Sequence, residues 1–201
     1  MGVQTDVQVK FIADENAADP DRLVTAARPN TSATMATTTF LGGGARNVTV
    51  TTTGTGDNGK TCTVTGSDVF GNAMTEVITS TGSAEAVAGA KLFLTVSAVE
   101  CSAQYAANIT VGSGSLCASE VAGGGRTRLK GYSIVSAGTA GLVDFYNGTP
   151  EDGTIIFKAQ TIGTDNSTVD NTIPDEGMLF KSGLAVGYTV ATVVLANVFF
   201  A

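Results

Sequence analysis

The feature that most constrains this chain is its punctuation: short runs of Thr, Val and Ile, each cut off by Gly, Asn, Ser or Asp. The stretch TCTVTGSDVFGNAMTEVIT, residues 61–79, shows it best. Cys62 and Val64 lie in a Thr-rich run, Phe70-Gly71-Asn72 is a turn, and a second run begins at Met74. Side chains branched at Cβ crowd χ1 and suit a pleated strand. Gly71 and Asn72 tolerate the positive φ of a tight turn. This piece reads as a β-hairpin, and the rest of the chain repeats its rhythm.

The same rhythm predicts strands at residues 47–53, 61–68, 73–80, 91–99, 108–111, 128–136, 141–146, 154–160, 178–180 and 187–200. Leu92, Leu94, Val96 and Ala98 form the clearest alternating stripe. Turns fall at Asn147-Gly148, Asp152-Gly153 and Pro174-Asp175-Glu176-Gly177. Short strands with frequent turns predict an all-β fold of two small antiparallel sandwich or jelly-roll-like domains, at residues 46–120 and 126–201. The glycine triplets at 42–44 and 123–125 mark the boundaries. Residues 1–45 read as an extended N-terminal arm. In it Val3, Val7, Val9 and Phe11 alternate with polar residues as a half-buried strand. Asp19-Pro20 looks like the start of one short helix ending near Arg28.

Composition excludes several kinds of chemistry. The 201 residues contain no His and no Trp, so a Ser-His-Asp triad and any histidine metal site are ruled out. A net charge of −7 would be repelled by phosphate backbones, so no nucleic-acid partner is expected. Only 14% of residues are charged, against about 25% in ordinary domains, and such a surface suits close packing against neighbours. No apolar run is long enough to predict a membrane span. The opening residues carry no secretory pattern, so the thiols of Cys62, Cys101 and Cys117 are expected to be reduced. Cys62 and Cys101 are candidates to face each other across a sheet.

Three local patterns invite a functional reading. GTGDNGKT, residues 54–61, matches the phosphate-loop letters GxxxxGK[ST]. The run TCTVTG, residues 61–66, is β-branched and Gly-broken, however, where a phosphate loop needs a helix. A turn through Asp57-Asn58-Gly59 explains the same letters. Asp14, Glu15, Asp19 and Asp21, and separately Asp165, Asp170, Asp175 and Glu176, are oxygen ligands of the kind Ca²⁺ takes. They lack a recognised spacing and read as solvated loop acids. The N-x-[ST] sequons at Asn30, Asn47, Asn108, Asn147 and Asn166 arise from a Thr- and Asn-rich composition. No catalytic residue, cofactor site or metal site is expected.

Residues 64–96 resemble a pattern of virion structural proteins of tailed bacteriophages, G-[ST]-D-x-x-G-N-x-x-T-E-x-I and then a strand ending [KF]-x-F-x-T-V. Here it reads Gly66-Ser67-Asp68-Val69-Phe70-Gly71-Asn72-Ala73-Met74-Thr75-Glu76-Val77-Ile78, then Lys91-Leu92-Phe93-Leu94-Thr95-Val96. Residues 130–200 are also similar to small all-β proteins of marine phages, of the capsid decoration type. The resemblance implies a non-enzymatic decoration or cement protein of the virion, with the major capsid protein and copies of itself as partners, as a homo-oligomer or multi-copy assembly, without nucleic acid or membrane. A tail or head–tail connector component, or a carbohydrate- or host-binding sandwich, is the alternative.

The candidate interface residues come from the chain's two ends. Val3, Val7, Val9 and Phe11 must bury their face somewhere, and a flexible connector could carry it to a neighbour. In the last strand Val193, Leu195 and Phe199 alternate on one face, opposite Val194, Val198 and Phe200. The odd-numbered face is expected to contact a neighbouring subunit.

Overall fold

A computed structural model describes residues 7–13 and 17–201 of the chain. Among them there is no α-helix; more than half of the chain is strand, paired antiparallel, with two short 3₁₀ turns. The chain divides into two compact units, residues 17–117 and residues 118–201 joined by residues 1–16.

The first strand, β1 (Gln8–Ile12), belongs to the second of these units. The central unit starts with β2 (Val24–Ala27), which lies along β8 (Ile109–Ala122), a strand that runs on past the unit's last residue, Cys117. Next come β3 (Ala45–Thr52), β4 (Thr61–Ser67), β5 (Ala73–Thr79), β6 (Ala86–Phe93) and β7 (Thr95–Cys101). β3 pairs with β6, while β4 lies between β5 and β7 in a three-stranded sheet. The two sheets enclose one core: Val48 and Val50 of β3, Phe93 of β6, Cys62 and Val64 of β4, Val96 and Val99 of β7, with Leu23, Val24 and Phe40 filling in from the preceding segment.

The expected hairpin is present in register, Thr61 opposite Thr79 through Ser67 opposite Ala73. Its turn is held by Asp68. The Asp68 carboxylate accepts the N–H of Phe70 at 2.8 Å and of Asn72 at 2.9 Å, and the Asn72 side-chain amide at 3.0 Å. Gly71 supplies the left-handed φ of 84° that closes it.

Two expectations for this part are corrected. Residues 19–28 are not a helix. Leu23 donates its N–H to the Val111 carbonyl, and Asp19 and Ser113 exchange hydrogen bonds, so a turn and bend at residues 20–23 lead into β2 on β8, with Leu23 and Val24 buried. An isolated helix of ten residues is marginal in water, and sheet pairing satisfies the same backbone groups while burying both apolar side chains. The strand expected at 91–99 is two strands. The chain leaves the β3–β6 sheet at Phe93 and enters the β4–β7 sheet at Thr95, so the stripe from Leu92 to Ala98 turns a corner at Leu94.

The second unit is completed by β9 (Thr127–Ser136), β10 (Leu142–Asn147), β11 (Thr154–Gln160), β12 (Thr168–Thr172), β13 (Met178–Phe180), β14 (Leu184–Thr189) and β15 (Val193–Phe200). One sheet runs β1-β15-β9-β12, with β13 also on β9; in the other, β10 pairs with β11 and β14. Tyr132 of the first sheet meets Phe145 and Phe157 of the second at ring-centroid distances of 5.5 and 5.7 Å, and Phe145 and Phe157 are 5.6 Å apart. The sheets thus face each other across an aromatic core.

The expected strand at 187–200 also switches sheets, through a 3₁₀ turn at Val190–Thr192. The reading of residues 1–45 as an arm is corrected as well. β1 pairs with β15 of its own chain, from Gln8 opposite Phe200 to Ile12 opposite Ala196. Leu23, Val24 and Phe40 are core residues of the central unit. Removing residues 1–40 would therefore cost an edge strand and part of a core.

Candidate interaction face

Partners across an antiparallel ladder share a face. The register therefore assembles the outer face of the β1 sheet row by row. Val9 stands beside Phe199 and then Gly131; Phe11 beside Asn197, Ser133 and Asp170; Leu195 beside Val135 and Thr168. The inner rows hold Ile12, Ala196 and Ile134, and Val198 with Tyr132, all buried. The outer face is graded, apolar on β1 and β15 and polar on β12.

The exposed end of this gradient is β1. Val7 is 54% exposed, Val9 54% and Phe11 58%, while Leu195 and Phe199 are half-buried. β1 is also the edge of its sheet: among the described residues, no strand lies on its side away from β15. Lys10, half-buried, is its one charged residue and pairs with Val198 in register.

The structure brings together Val7, Val9, Phe11, Leu195 and Phe199 of the expected interface. Val3 lies outside the described residues. Val193 is corrected: it is buried in the core. The register slips between Val193 and Leu195, so Val193 joins Ala196 and Val198 on the inner face, and simple odd–even counting fails across the irregularity. β15 is interior to its sheet, flanked by β1 and β9, with Val193, Ala196 and Val198 turned to the core and Leu195 and Phe199 on the half-buried outer face. Sequence reading missed Val135, which joins Leu195 on the outer face; its place in an alternating strand was the available signal.

The other candidates resolve into structural devices. In the phosphate-loop lookalike, a 3₁₀ turn (Thr55–Asp57) leads into β4, carrying the chain from one sheet to the other. Asp57 is buried and accepts the Thr52 hydroxyl at 2.9 Å, Lys60 Nζ at 2.8 Å, and the N–H groups of Ala106 at 2.6 Å and Ala107 at 3.1 Å. Burial pushes its pKa up, but Lys60, the two amides and the hydroxyl outweigh that and hold it well below the usual carboxylate range. Lys60, which a phosphate loop would present to its nucleotide, is committed to Asp57 and the Gln104 carbonyl. Asp165, Asp170, Asp175 and Glu176 are exposed, Asp14 and Glu15 lie outside the described residues, and no cluster of metal-ligating side chains exists among the described residues.

The residues of the phage-like pattern hold one another. Glu76 crosses from β5 to β6, where its carboxylate accepts the N–H of Ala90 at 2.7 Å and of Lys91 at 3.3 Å. Lys91 Nζ returns to the Thr75 carbonyl at 2.9 Å. Ser67 and Thr95 share a hydroxyl hydrogen bond of 2.7 Å, and a side chain on Gly66 would collide with the Thr95 carbonyl. The pattern's polar positions therefore encode a hairpin and its fastening to the next strands.

Compared with protein-family models, with curated proteins and with solved structures, the chain matches none.

Proposed function

We propose that this chain is a non-enzymatic structural protein of a virion, of the capsid decoration type, that works by adding contacts between neighbours. Its partners in this reading are the major capsid protein and further copies of itself, and many weak contacts on one shell add up through avidity. The observation that carries the proposal is the outer face of β1, where Val9 and Phe11 stand more than half exposed on an edge strand, with Val7 equally exposed just before it. Single exposed apolar residues are ordinary, but a contiguous row marks an interaction site. An open strand edge adds backbone hydrogen bonding to such a contact. The resemblance of residues 66–78 and 91–96 to phage virion proteins supplies the class.

A glycan-binding module finds less support, because such sites use exposed aromatic platforms. Tyr105, Tyr132 and Tyr188 are buried, Tyr146 is half-buried, and among the described residues Phe11 alone of the aromatics is more than half exposed, which makes no platform. The test is Val9→Asp with Phe11→Asp, then sedimentation and binding to assembled phage shells. Loss of association with an unchanged circular dichroism spectrum is expected. Association at the parent's level in the folded double variant would refute the proposed face.

A further inference from the structure

Cys62 of β4 and Cys101 of β7 are register partners, with their sulfur atoms 3.8 Å apart. The Ser102 N–H donates to the Thr61 carbonyl at 3.0 Å, the bond that flanks a non-hydrogen-bonded pair. The Cys101 N–H is turned away to the Thr31 carbonyl. Pairs of this kind bring their Cα atoms to about 4.5 Å, inside the roughly 4.4–6.8 Å range that a disulfide spans. The Tyr105 hydroxyl lies 3.3 Å from the Cys62 sulfur, and Lys60 Nζ sits 5.4 Å from the centre of the Tyr105 ring. Both cysteines are thiols in the structure.

We propose that Cys62 and Cys101 are an oxidation site, converted by a peroxide into a cross-strand disulfide that staples β4 to β7. The Cys62 thiolate attacks one peroxide oxygen, giving a sulfenic acid and hydroxide, and the hydroxide takes up the proton Cys62 released, forming water. The Cys101 sulfur then attacks the sulfenic sulfur. The S–S bond forms, the S–O bond breaks, and the departing hydroxide leaves as a second water with the Cys101 proton. Two thiols lose two electrons to one peroxide.

The surroundings assign the order of attack. Hydrogen bonds from the Cys101 thiol first, and from the Tyr105 hydroxyl, hold Cys62 below the ordinary thiol range against its burial. Cys101 is pushed up, by its hydrogen bond to Cys62 and by burial. The Tyr105 hydroxyl, 3.3 Å from the Cys62 sulfur, is placed to hydrogen-bond a Cys62 thiolate, which makes Cys62 the nucleophile and Cys101 the resolving thiol. Cys62 is fully buried and Cys101 is 9% exposed, with residues 31–39 bonded along the outer edge of β7, so the peroxide reaches the pair through local opening of that edge. The staple would close a long loop of the central unit and restrict its unfolded state.

The test treats the folded full-length chain with hydrogen peroxide, blocks remaining thiols with an alkylating agent under denaturing conditions, and maps the product without reduction. The expected result is one linked peptide pair, Cys62 with Cys101, with Cys117 alkylated and the linkage reversed by dithiothreitol. Thermal unfolding of the oxidised chain should shift upward by several degrees, in the parent and in Cys117→Ser alike. Cys62→Ser and Cys101→Ser should show neither the linkage nor the shift. Tyr105→Phe should keep the linkage and form it several-fold more slowly. Three alkylated cysteines after peroxide, a linkage through Cys117, or a linkage formed only in denaturant would each overturn the proposal.

Discussion

The two units are held together by different means. The central unit fastens its loops and edges with carboxylates that accept backbone amides: Asp57 takes those of Ala106 and Ala107, Asp68 those of Phe70 and Asn72, Glu76 those of Ala90 and Lys91. The unit made of residues 118–201 and β1 gives the corresponding task to the neutral Asn147 side chain, which accepts the amides of Lys181 and Ser182. It centres on Tyr132, Phe145 and Phe157. Its acids Asp165, Asp170, Asp175 and Glu176 are exposed, and its ion pairs Lys158–Asp144, at 3.2 Å, and Arg128–Glu176, at 2.9 Å, are each open to solvent on one side. Charge-assisted bonds to amides exist only while the carboxylate is ionised, whereas aromatic packing does not depend on pH. The central unit is thus tied to the ionisation of Asp57, and the other carries the exposed apolar edge.

The sharpest way to break this comparison pairs two substitutions of similar cost. Asp57→Ala removes one partner of a buried ion pair and strands two amides, which should cost about 3–5 kcal/mol at neutral pH. Phe145→Ala leaves a cavity in the other core at a similar cost, about 3–5 kcal/mol. Denaturant unfolding measures both. Equal losses of less than about 1 kcal/mol would show that neither residue anchors its unit.

Acid then separates the two. Asp57 has a folded pKa below its unfolded value of about 3.9, so between the two values the unfolded chain binds more protons. Its contribution is fully present above the unfolded value and fades as pH falls towards the folded one. The deficit of Asp57→Ala should therefore shrink below about pH 4, while that of Phe145→Ala stays constant. Hydrogen exchange followed through acidification should open amides of β4 before those of β9. The reverse order would invert the comparison.

A smaller effect is expected at Glu76, which is only half-buried and whose partners sit near solvent. Glu76→Ala should cost about 1–2 kcal/mol, and Glu76→Gln less, because the amide oxygen still accepts one N–H. Limited proteolysis near residues 86–91 would report the loosened edge of β6.

Much of this arrangement is legible in the sequence because it is local. The hairpin at 61–79 carries its own alternation and turn chemistry, and its register runs from Thr61 opposite Thr79 to Ser67 opposite Ala73. The illegible parts are those where a long-range partner decides. Asp19-Pro20 is a sound helix start, but β8 offers Leu23 and Val24 a sheet to bury against. The corners at Leu94 and at Val190–Thr192 lie inside apolar runs that no breaker interrupts, so the change of sheet leaves no mark. The outer face was readable in Val9, Phe11, Leu195 and Phe199. Val193 was misplaced, because a slip of register reverses parity without changing composition.

The smallest effect should come from the face proposed to matter most for association. Val9 and Phe11 are more than half exposed, so replacing them removes little apolar surface from the folded chain's own packing. Val9→Thr with Phe11→Ser keeps β1 in register with β15, since Thr and Ser preserve the backbone groups and Thr is still branched at Cβ. Surface changes of this kind alter stability within about 0.5 kcal/mol. The same pair should weaken self-association, because apolar area that the chain leaves in water is available for a neighbour to cover. Denaturant midpoint and sedimentation, measured on the same double variant, separate the two effects. A midpoint loss above about 1 kcal/mol would mean that this face is already covered within the folded chain. The unguarded edge would then be as self-contained as the one Glu76 fastens.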